Sequence, residues 1–566
     1  MTAQGELIAA REFSRPNGVN GEVFTRRWIA EFILDLVGYE PSRDLGSLSL
    51  VEPACGGGAF LVPIVDRLIA SAHLHGRGLA SLGSAIQAFE LMDANADSAR
   101  GAVCRQLTDA GLSDREASAL AEEWITAGDF LLEPAGRAVD VVVGNPPYVR
   151  LEEVSGKRMN AYRAAWPTMK GRADLYVGFF EKGLSLLTPR GVLGFICADR
   201  WMHNQYGGEL RDLISTGYAV DTVVSMHDVD AFEDEVSAYP AVVVLRREAQ
   251  SAAAVIDAGA DFDRRAATEA FHWVRSSPSE SIAAPDFNAT VLNGWFSGRD
   301  LWPVGSPSHL NLLADLEARF PPLQDPRTGT RVGIGVATGC DDVYITKDPG
   351  IVEAERLLPL LRASDTVTGV AEWSGSYLVN PWDSDGLVSL EAFPHLNDYL
   401  HAAGDRLRAR HIARRRPNAW YRTIDRINAE LLEKTKLLLP DLKARAHPVL
   451  DEGRYYPHHN LYWVVSESWD AEVLGGILLS EVCNLFVGAY CVRMRGGCYR
   501  FQAQYLRRIR VPELTRVDPR STQDLARAFR ARDAEAATAA AARLYGFPRS
   551  LLTPADGNGQ RRNGNG

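Results

Sequence analysis

Several polar side chains in the first 150 residues follow apolar runs and could bind one polar ligand. The first is Glu52, which precedes the glycine-rich turn Pro53–Gly58. Glycines in such a turn let a ligand approach the backbone, and the helix that follows presents its N-terminus to that ligand. The turn lacks the G-x-G-x-x-G spacing of a dinucleotide site, and the preceding acid suits a ligand with an amino group. A plain tight turn is the alternative.

Two further acids follow the next predicted strands. Glu90 ends the run 86–90, where a carboxylate can accept hydrogen bonds from both hydroxyls of a ribose. Asp129 and Phe130 offer an acceptor and a ring for an adenine. Each acid alone is typical of an ordinary surface position. Three of them in this order, at the carboxyl ends of successive strands, indicate a single binding site.

The segment Asn145-Pro146-Pro147-Tyr148 has a different chemistry. The two prolines stiffen the chain and donate no backbone hydrogen bond. The side-chain oxygen of Asn145 and the carbonyl of Pro146 can therefore converge as two acceptors for an exocyclic amine. Tyr148 can stack on the ring that carries this amine. The alternative is a rigid turn after a strand.

The elements that must position these residues alternate between strands and helices. The apolar runs 48–51, 140–144, 191–196 and 241–245 suit strands that are buried on both faces of a sheet. Helical periodicity at 25–37, 59–72 and 93–110 supplies the crossovers between them. Together they predict a doubly wound, Rossmann-like α/β sheet.

A change of composition divides the chain. We place the end of the first domain at residue 247, because Ala, Ser and Asp dominate residues 249–290 and their periodicity is weak. Residues 248–515 are expected to form a mixed α/β domain. Residues 516–566 are expected to form an Ala/Arg-rich helix and a disordered tail.

The composition excludes other classes of protein. A chain of 566 residues, 46% hydrophobic and 23% charged, suits about two to four globular domains rather than a disordered chain or a repeat array. No apolar window is long enough to predict a membrane span, and the N-terminal residues do not resemble a secretory signal. The seven cysteines form no C-x-x-C pair, which argues against structural zinc and disulfides. We therefore expect a soluble cytoplasmic protein.

Charge is distributed unevenly along the chain. The net charge is −11 overall, whereas residues 401–510 carry a net charge of +8. A basic segment within an acidic chain suits a surface that binds a polyanion. The alternative is a solvated helix surface.

These motifs occur together in one family. Residues 18–247 resemble the γ-class (TaqI-type) adenine-N6 DNA methyltransferases of type II restriction–modification systems. The resemblance rests on the segments described above and on Gly21–Thr25, Gly128–Leu131, Asp174–Tyr176, Gly191–Ile196 and Trp201. Beyond residue 247 it is looser, and it rests on three segments similar to the family's target-recognition region: Val332–Gly339, Lys436–Pro440 and Arg495–Arg500.

The resemblance implies a methyl donor, S-adenosylmethionine (AdoMet), and the residues that bind it. Glu52 would bind the methionine amine, Glu90 the ribose, and Asp129 with Phe130 the adenine. The other implied AdoMet contacts lie before and within the glycine turn: Thr25, Ala54, Gly56 and Gly58.

The resemblance also implies base flipping. A target adenine would leave the duplex and lie between Tyr148 and Phe232, with its N6 donating to Asn145 and to the Pro146 carbonyl. Tyr239 lies close enough in the sequence to compete with Phe232 for the second aromatic position. No metal is required.

The implied partner is double-stranded DNA, together with a separately encoded restriction endonuclease that cuts the same site. Arginines can pair with phosphates or read guanine edges. Those expected to contact DNA are Arg414, Arg415, Arg416, Arg495 and Arg500.

Two alternatives stay open at this point. One is a cytosine-N4 DNA methyltransferase, since that reaction needs the same two acceptors. The other is a non-catalytic DNA-binding specificity protein. A nuclease, for which Pro440-Asp441-Leu442-Lys443 is a weak indication, is disfavoured because no separate domain of nuclease size remains.

Overall fold

The structure is a computed structural model that describes residues 24–134, 136–233, 239–276, 281–293, 297–303, 305–491 and 498–552. The chain divides into two compact units, Met1–Ser308 and His309–Gly566. The tail 556–566, for which we predict disorder, lies outside the described residues, and so does Arg495.

Ten strands of the first unit form one sheet. In chain order they are β1 (Leu50–Glu52), β2 (Ile86–Glu90), β3 (Ile125–Ala127), β4 (Val139–Gly144), β5 (Leu187–Ala198), β6 (Ala219–Ser225), β7 (Pro240–Arg246), β8 (Ala252–Ala258), β9 (Ile282–Ala283) and β10 (Phe287–Asn293). Their order across the sheet is β3-β2-β1-β4-β5-β7-β6-β8-β10-β9. Strands β3, β2, β1, β4 and β5 run parallel. Strand β7 runs antiparallel between β5 and β6.

Helices cover both faces of this sheet. They are α1 (Arg27–Leu36), α2 (Leu61–Leu74), α3 (Asp93–Asp109), α4 (Asp114–Trp124), α5 (Gly156–Ala165), α6 (Tyr176–Leu186), α7 (Arg200–His203), α8 (Gly208–Gly217) and α9 (Arg264–Arg275). On β4, Val141 and Val143 belong to the core that contains α1 to α4 and α9, whereas Val142 belongs to the core that contains α5, α6 and α8. Successive strand side chains point to opposite faces, so the sheet is buried on both sides. This confirms the predicted doubly wound α/β fold.

The sheet continues beyond the predicted boundary at residue 247. Strand β8 pairs in parallel with β6, and β10 pairs with β8, so the first unit extends to Ser308. The reason is the composition of β8, Ala252–Ala258, whose residues are mostly alanines. Alanine is depleted in strands, and its small side chains weaken the apolar signal even though this strand is largely buried.

The second unit combines small sheets with helices. Its sheets have the orders β11-β19-β15-β17, β12-β14-β13-β18 and β16-β20. The strands are β11 (Arg331–Ile334), β12 (Ile345–Thr346), β13 (Leu357–Leu361), β14 (Tyr377–Val379), β15 (Thr435–Pro440), β16 (Leu442–Lys443), β17 (Val449–Glu452), β18 (Tyr456–Pro457), β19 (Leu461–Val465) and β20 (Tyr499–Arg500).

The helices of the second unit are mostly short. They are α10 (Pro307–Arg319), α11 (Asp341–Tyr344), α12 (Pro394–Ala402), α13 (Gly404–Ala409), α14 (His411–Arg415), α15 (Glu430–Glu433), α16 (Ala471–Leu479), α17 (Glu481–Tyr490), α18 (Ala503–Leu506), α19 (Pro519–Arg530) and α20 (Ala534–Tyr545). The Ala/Arg-rich segment near the C-terminus is thus two helices, interrupted where Arg532 has a φ of +56°.

Among the described residues, no single helix is long and apolar enough to cross a membrane. The consecutive helices α16 and α17 meet the length and composition criterion only as a pair, and they are bent by 60° at their junction.

Candidate functional site

The site lies at the carboxyl ends of the central strands of the first unit. Strands β2 and β3 lie on one side of β1, and strands β4 and β5 lie on the other side. Ligands of open α/β sheets bind where the strand order reverses in this way. A cavity at this position is lined by segments that follow β1, β2, β3 and β4, and its lining includes Thr25, Glu52, Ala54, Gly56, Glu90, Asp129, Phe130, Asn145, Pro146 and Tyr148.

The glycine turn after β1 is bound to the end of β2. The backbone N–H of Cys55 donates to the Phe89 carbonyl at 2.9 Å. Gly56 has a φ of +52°, a conformation that favours glycine. Its N–H donates to Glu90 Oε2 at 2.9 Å, and the N–H of Met92 donates to Glu90 Oε1 at 2.9 Å. These bonds fix the Glu90 carboxylate at the edge of the cavity.

Glu52 is an unsatisfied acid at the floor of the cavity. Its side chain is 1% exposed, and its Oε2 atom has no hydrogen-bond partner among the described residues. Burial, reinforced by the negative charge of Glu90, raises the pKa of Glu52 well above its ordinary value. A cationic donor in the cavity would satisfy Oε2 and stabilise the ionised form. The site therefore fits a ligand with an ammonium group next to Glu52.

The segment after β3 presents an acid and a ring. Asp129 Oδ2 accepts a hydrogen bond from the Tyr162 hydroxyl at 2.8 Å and lies 3.3 Å from Arg158 Nε. The Phe130 ring packs with its centroid 5.3 Å from that of Phe89 and 5.4 Å from that of Phe179. Both features of this segment are thus fixed by neighbouring side chains.

Asn145 follows β4 directly and is oriented by a residue from outside the sheet. Its Nδ2 donates to Thr25 Oγ1 at 3.1 Å, so Oδ1 is the acceptor end of the amide. Gly144 allows this strand to approach the glycine turn, because a Cβ there would lie 3.3 Å from Pro53 Cδ. Asn145 and the adjacent Pro146 both line the cavity, as an amine-binding pair would require.

Phe232 reaches the site through a backbone bridge to Thr25. The two residues form an antiparallel bridge, in which the N–H of Glu233 donates to the Phe24 carbonyl at 2.9 Å. The Phe232 and Tyr148 rings meet edge to face, with centroids 6.0 Å apart and an interplanar angle of 82°. A base can lie flat between them only after one ring turns.

Tyr239 packs elsewhere. Its ring lies 4.8 Å from that of His227, whose Nε2 is 2.7 Å from Asp199 Oδ2. Between the two candidates for the second aromatic position, it is therefore Phe232 that contacts Tyr148.

The structure assembles most of the predicted site. Gly58 and Phe232 do not line the cavity. Gly58 instead shapes the turn, with a φ of +105° and an N–H that donates to the Cys55 carbonyl. Sequence reasoning missed Tyr162, which contacts Asp129 from a helix with little apolar periodicity.

Many arginines of the basic segment in the second unit are bound within the unit. Arg410 donates to the carbonyls of Thr338, Trp420 and Arg422. Arg500 donates through Nε to both carboxylate oxygens of Asp441 at 3.2 Å, and this carboxylate is the acid of the nuclease-like string. Other arginines with partners inside the unit are Arg406, Arg426, Arg507, Arg508 and Arg510.

Three of the predicted DNA-contacting arginines remain exposed to solvent. Arg414, Arg415 and Arg416 lie at the end of α14 and directly after it. Arg410 connects this region to the segment Val332–Gly339, because its guanidinium and the N–H of Ile424 both donate to the Thr338 carbonyl.

A further polar group involves residues far apart in the sequence. Ligand-type atoms of Asp341, His458 and His459 lie within 4.8 Å of one another. His458 Nε2 is 3.1 Å from Asp341 Oδ2, and this hydrogen-bond contact accounts for the proximity of the two residues. The sequence gives no metal-ligand spacing here, since more than a hundred residues separate the aspartate from the histidines.

Comparison with solved structures supports the fold. The chain is similar to the type IIL restriction–modification enzyme MmeI, solved in complex with DNA, with a TM-score of 0.53 and 12% identity over 96% of this chain and 74% of that one.

Comparison of sequences identifies the family. Residues 93–232 match the model of the Eco57I restriction-modification methylase family. The type II methyltransferase M.PaeR7I of Pseudomonas aeruginosa is 42% identical over 98% of this chain and 97% of its own length. The type II methyltransferase M.XhoI of Xanthomonas vasicola is 41% identical over 93% of this chain and 97% of its own length. With similarity along almost the whole chain, the protein belongs to the type II methyltransferases of restriction–modification systems.

Proposed function

We propose that the protein transfers a methyl group from AdoMet to the N6 atom of an adenine that has been flipped out of double-stranded DNA. The observation that carries this proposal is the convergence of Glu52, Glu90, Asp129 and Asn145 on one cavity. These four polar residues come from the carboxyl ends of four neighbouring parallel strands.

The cofactor proposal rests on how the donor set fits AdoMet. Glu52 Oε2 lacks a partner, and the methionine ammonium would supply one. The Glu90 carboxylate would accept hydrogen bonds from two ribose hydroxyls, and Asp129 with Phe130 would bind the adenine. When bound, the cofactor supplies an electrophilic methyl carbon on its sulfonium.

Asn145 and Pro146 act on the target amine. The Asn145 oxygen and the Pro146 carbonyl accept hydrogen bonds from the two N–H groups of the target amine. These hydrogen bonds direct the nitrogen lone pair towards the methyl carbon. Thr25 keeps the amide of Asn145 in the required orientation through the 3.1 Å hydrogen bond. Tyr148 and Phe232 stack on the flipped base once their edge-to-face contact has opened.

The second unit is proposed to recognise DNA. Arg414, Arg415 and Arg416 are exposed and suit phosphate contacts. The modification would protect the site from a separately encoded restriction endonuclease.

The test is methylation of duplex DNA by purified protein with AdoMet, followed by digestion to nucleosides and mass spectrometry. N6-methyladenine supports the proposal, whereas N4-methylcytosine assigns the chemistry to the other amine, and no methylated base contradicts a catalytic role. The Asn145→Ala variant is the background control. Single-molecule sequencing of the product gives the recognition sequence.

A further inference from the structure

Lys182 is a buried cation that no step of the proposed reaction uses. It lies on α6 and is 2% exposed. Burying an ammonium group costs several kcal/mol unless protein partners replace its water. Burial lowers the pKa of Lys182, while the carboxylates of Glu133 and Asp129 oppose that shift. The partners of this group therefore indicate what it stabilises.

Those partners belong to one turn, residues 129–133, which we term the adenine turn. Lys182 Nζ donates to the carbonyl of Phe130 and, at 2.8 Å, to the carbonyl of Glu133. The same nitrogen lies 4.5 Å from the centroid of the Phe130 ring, within cation–π range. One ammonium thus binds two carbonyls of the turn and contacts the ring of one of its side chains.

The rest of α6 fits the same turn. Gly178 lies one helical turn before Lys182 and so shares its face. A Cβ at Gly178 would lie 3.3 Å from Leu131 Cδ2 and closer still to Met169, so the glycine lets the helix approach the turn. Phe179, which lines the cavity, packs against Phe130.

A second group of side chains binds the turn from the region of α5. Trp166 Nε1 donates to the Leu131 carbonyl at 2.9 Å. The Tyr162 hydroxyl donates to Asp129 Oδ2. Lys182 differs from these two because it alone among the three carries a charge and contacts the Phe130 ring.

We propose that Lys182 is a positioning residue for the adenine subsite. By binding the two carbonyls and the ring of the adenine turn, it keeps Asp129 and Phe130 directed at the cavity before the ligand arrives. This proposal rests on the proposed function, since it takes the occupant of the subsite to be the adenine of AdoMet. Its role is in binding, not in methyl transfer itself.

The experiment compares two probes by calorimetry: AdoMet, and 5′-methylthioadenosine, which lacks the methionine amine and carboxylate. Lys182→Met is expected to weaken both by about tenfold. Lys182→Arg, which keeps the charge and the donors, is expected to stay within about threefold of wild type. Glu52→Gln should weaken AdoMet alone. The surface control is Lys170→Met, because the Lys170 side chain is 63% exposed and pairs with Glu209 on the surface.

Turnover distinguishes positioning from general damage. At saturating AdoMet, kcat of Lys182→Met should stay within about threefold of wild type while the KM for AdoMet rises about tenfold. Should the methionine variant fail to fold, Lys182→Gln and Lys182→Arg make the same comparison of a neutral with a charged side chain.

Three results would overturn this role of Lys182. The first is unchanged affinity of Lys182→Met for both probes, and the second is weaker binding of AdoMet with unchanged binding of methylthioadenosine. The third is an equal loss of affinity in a folded Lys182→Arg variant. If wild-type protein binds neither probe, the proposed function fails and the role of Lys182 fails with it. If wild type binds both and the Lys182 variants match it, only the role of Lys182 is refuted.

Discussion

The polar residues of the first unit were predicted from their positions at strand ends, and the arginines of the second unit from net charge. The polar residues line a cavity, whereas many of the arginines are bound by their own unit. In the first unit, Glu52 and Glu90 end strands β1 and β2, Asp129 and Asn145 follow β3 and β4, and all four line one cavity. In the second unit, net charge pointed to arginines at 406–426 and 493–510, and several of the described ones donate to carbonyls or pair with acids of the same unit.

The difference lies in what each signal specifies. A strand end fixes where a residue goes, because parallel strands end at the same edge of a sheet. The net charge of a segment does not show which partner each side chain binds. An arginine has five N–H donors, and backbone carbonyls can accept hydrogen bonds from them as well as phosphates can. Arg410 illustrates this, because its guanidinium donates hydrogen bonds to the carbonyls of Thr338, Trp420 and Arg422.

The strand-end signal is tested most directly at Asn145. We expect Asn145→Ala to reduce methyl transfer by about 10²–10³-fold, the usual cost of removing an oriented hydrogen-bonding group that acts in the transition state. AdoMet affinity should stay within about threefold of wild type, as the amide acts on the base. Transfer of labelled methyl groups to duplex DNA measures the first quantity, and calorimetry the second.

Thr25→Val is the matched variant for that measurement. It removes only the hydroxyl that accepts from Asn145 Nδ2 at 3.1 Å, so its loss of turnover should be smaller than that of Asn145→Ala. Equal activity of Asn145→Ala and wild type would show that the strand-end residue is not part of the reaction.

The charge signal is tested by replacing only the exposed arginines. The triple variant Arg414→Ala, Arg415→Ala, Arg416→Ala should weaken DNA binding by about a hundredfold at low salt and flatten the plot of log affinity against log salt by about two to three units. Its unfolding temperature should change little, because these side chains are exposed and the hydrogen bond from Arg414 Nε to the Ala409 carbonyl lies at the surface. Binding measured by fluorescence anisotropy across a salt series gives the slope.

Two comparisons make that result specific. Arg520→Ala with Arg527→Ala removes charges that are also exposed but lie on α19, outside the basic segment, and should leave the slope unchanged. Arg410→Ala should lower the unfolding temperature instead, since it removes the guanidinium donor from the carbonyls of Trp420 and Arg422 and leaves the Thr338 carbonyl with the N–H of Ile424 alone. An unchanged slope in the triple variant would make the exposed arginines a solvated surface.

The same contrast explains how much the sequence could predict. The doubly wound α/β sheet and the residues at the ends of its strands follow from short motifs with local geometry. The structure confirms the fold class and places most of these residues around one cavity. Strand β8 was not predicted, because its alanines carry little apolar signal. The predicted end of the first domain is therefore residue 247, whereas the first compact unit of the structure ends at Ser308. The contact of Lys182 with Phe130 joins residues from separate elements, and the pattern of apolar residues along the sequence does not predict contacts of this kind.

Glu52 allows a test by pH. Its raised pKa means that the folded protein keeps a proton that the unfolded chain has released. The stability linked to that proton is therefore present at low pH and lost as the pH rises through the raised pKa. An ammonium ligand favours the ionised carboxylate, so AdoMet affinity should rise over the same range.

In Glu52→Gln both dependences should flatten, and AdoMet affinity should fall by about ten- to thirtyfold at the upper end of the range. Calorimetry in buffers of different ionisation enthalpy would detect the proton that wild type releases on binding. A Glu52→Gln variant with wild-type pH dependence would place the titrating group elsewhere.

The smallest expected effect separates the two aromatic candidates. Phe232 lies 6.0 Å from Tyr148, whereas Tyr239 packs on His227 at 4.8 Å. Because stacking of a base on an aromatic ring is worth about 1–3 kcal/mol, Phe232→Ala should reduce kcat/KM for DNA by about tenfold or more. Tyr239→Ala should change it by less than about threefold. Steady-state methylation of a duplex with adenine at the target position measures both. Base flipping is followed separately in a duplex with 2-aminopurine at that position, which has no 6-amino group to accept the methyl and whose fluorescence rises when the base leaves the stack. If Tyr239→Ala lowers this fluorescence more than Phe232→Ala does, the base enters from the His227 side, and the edge-to-face contact with Tyr148 belongs to the core rather than to base binding.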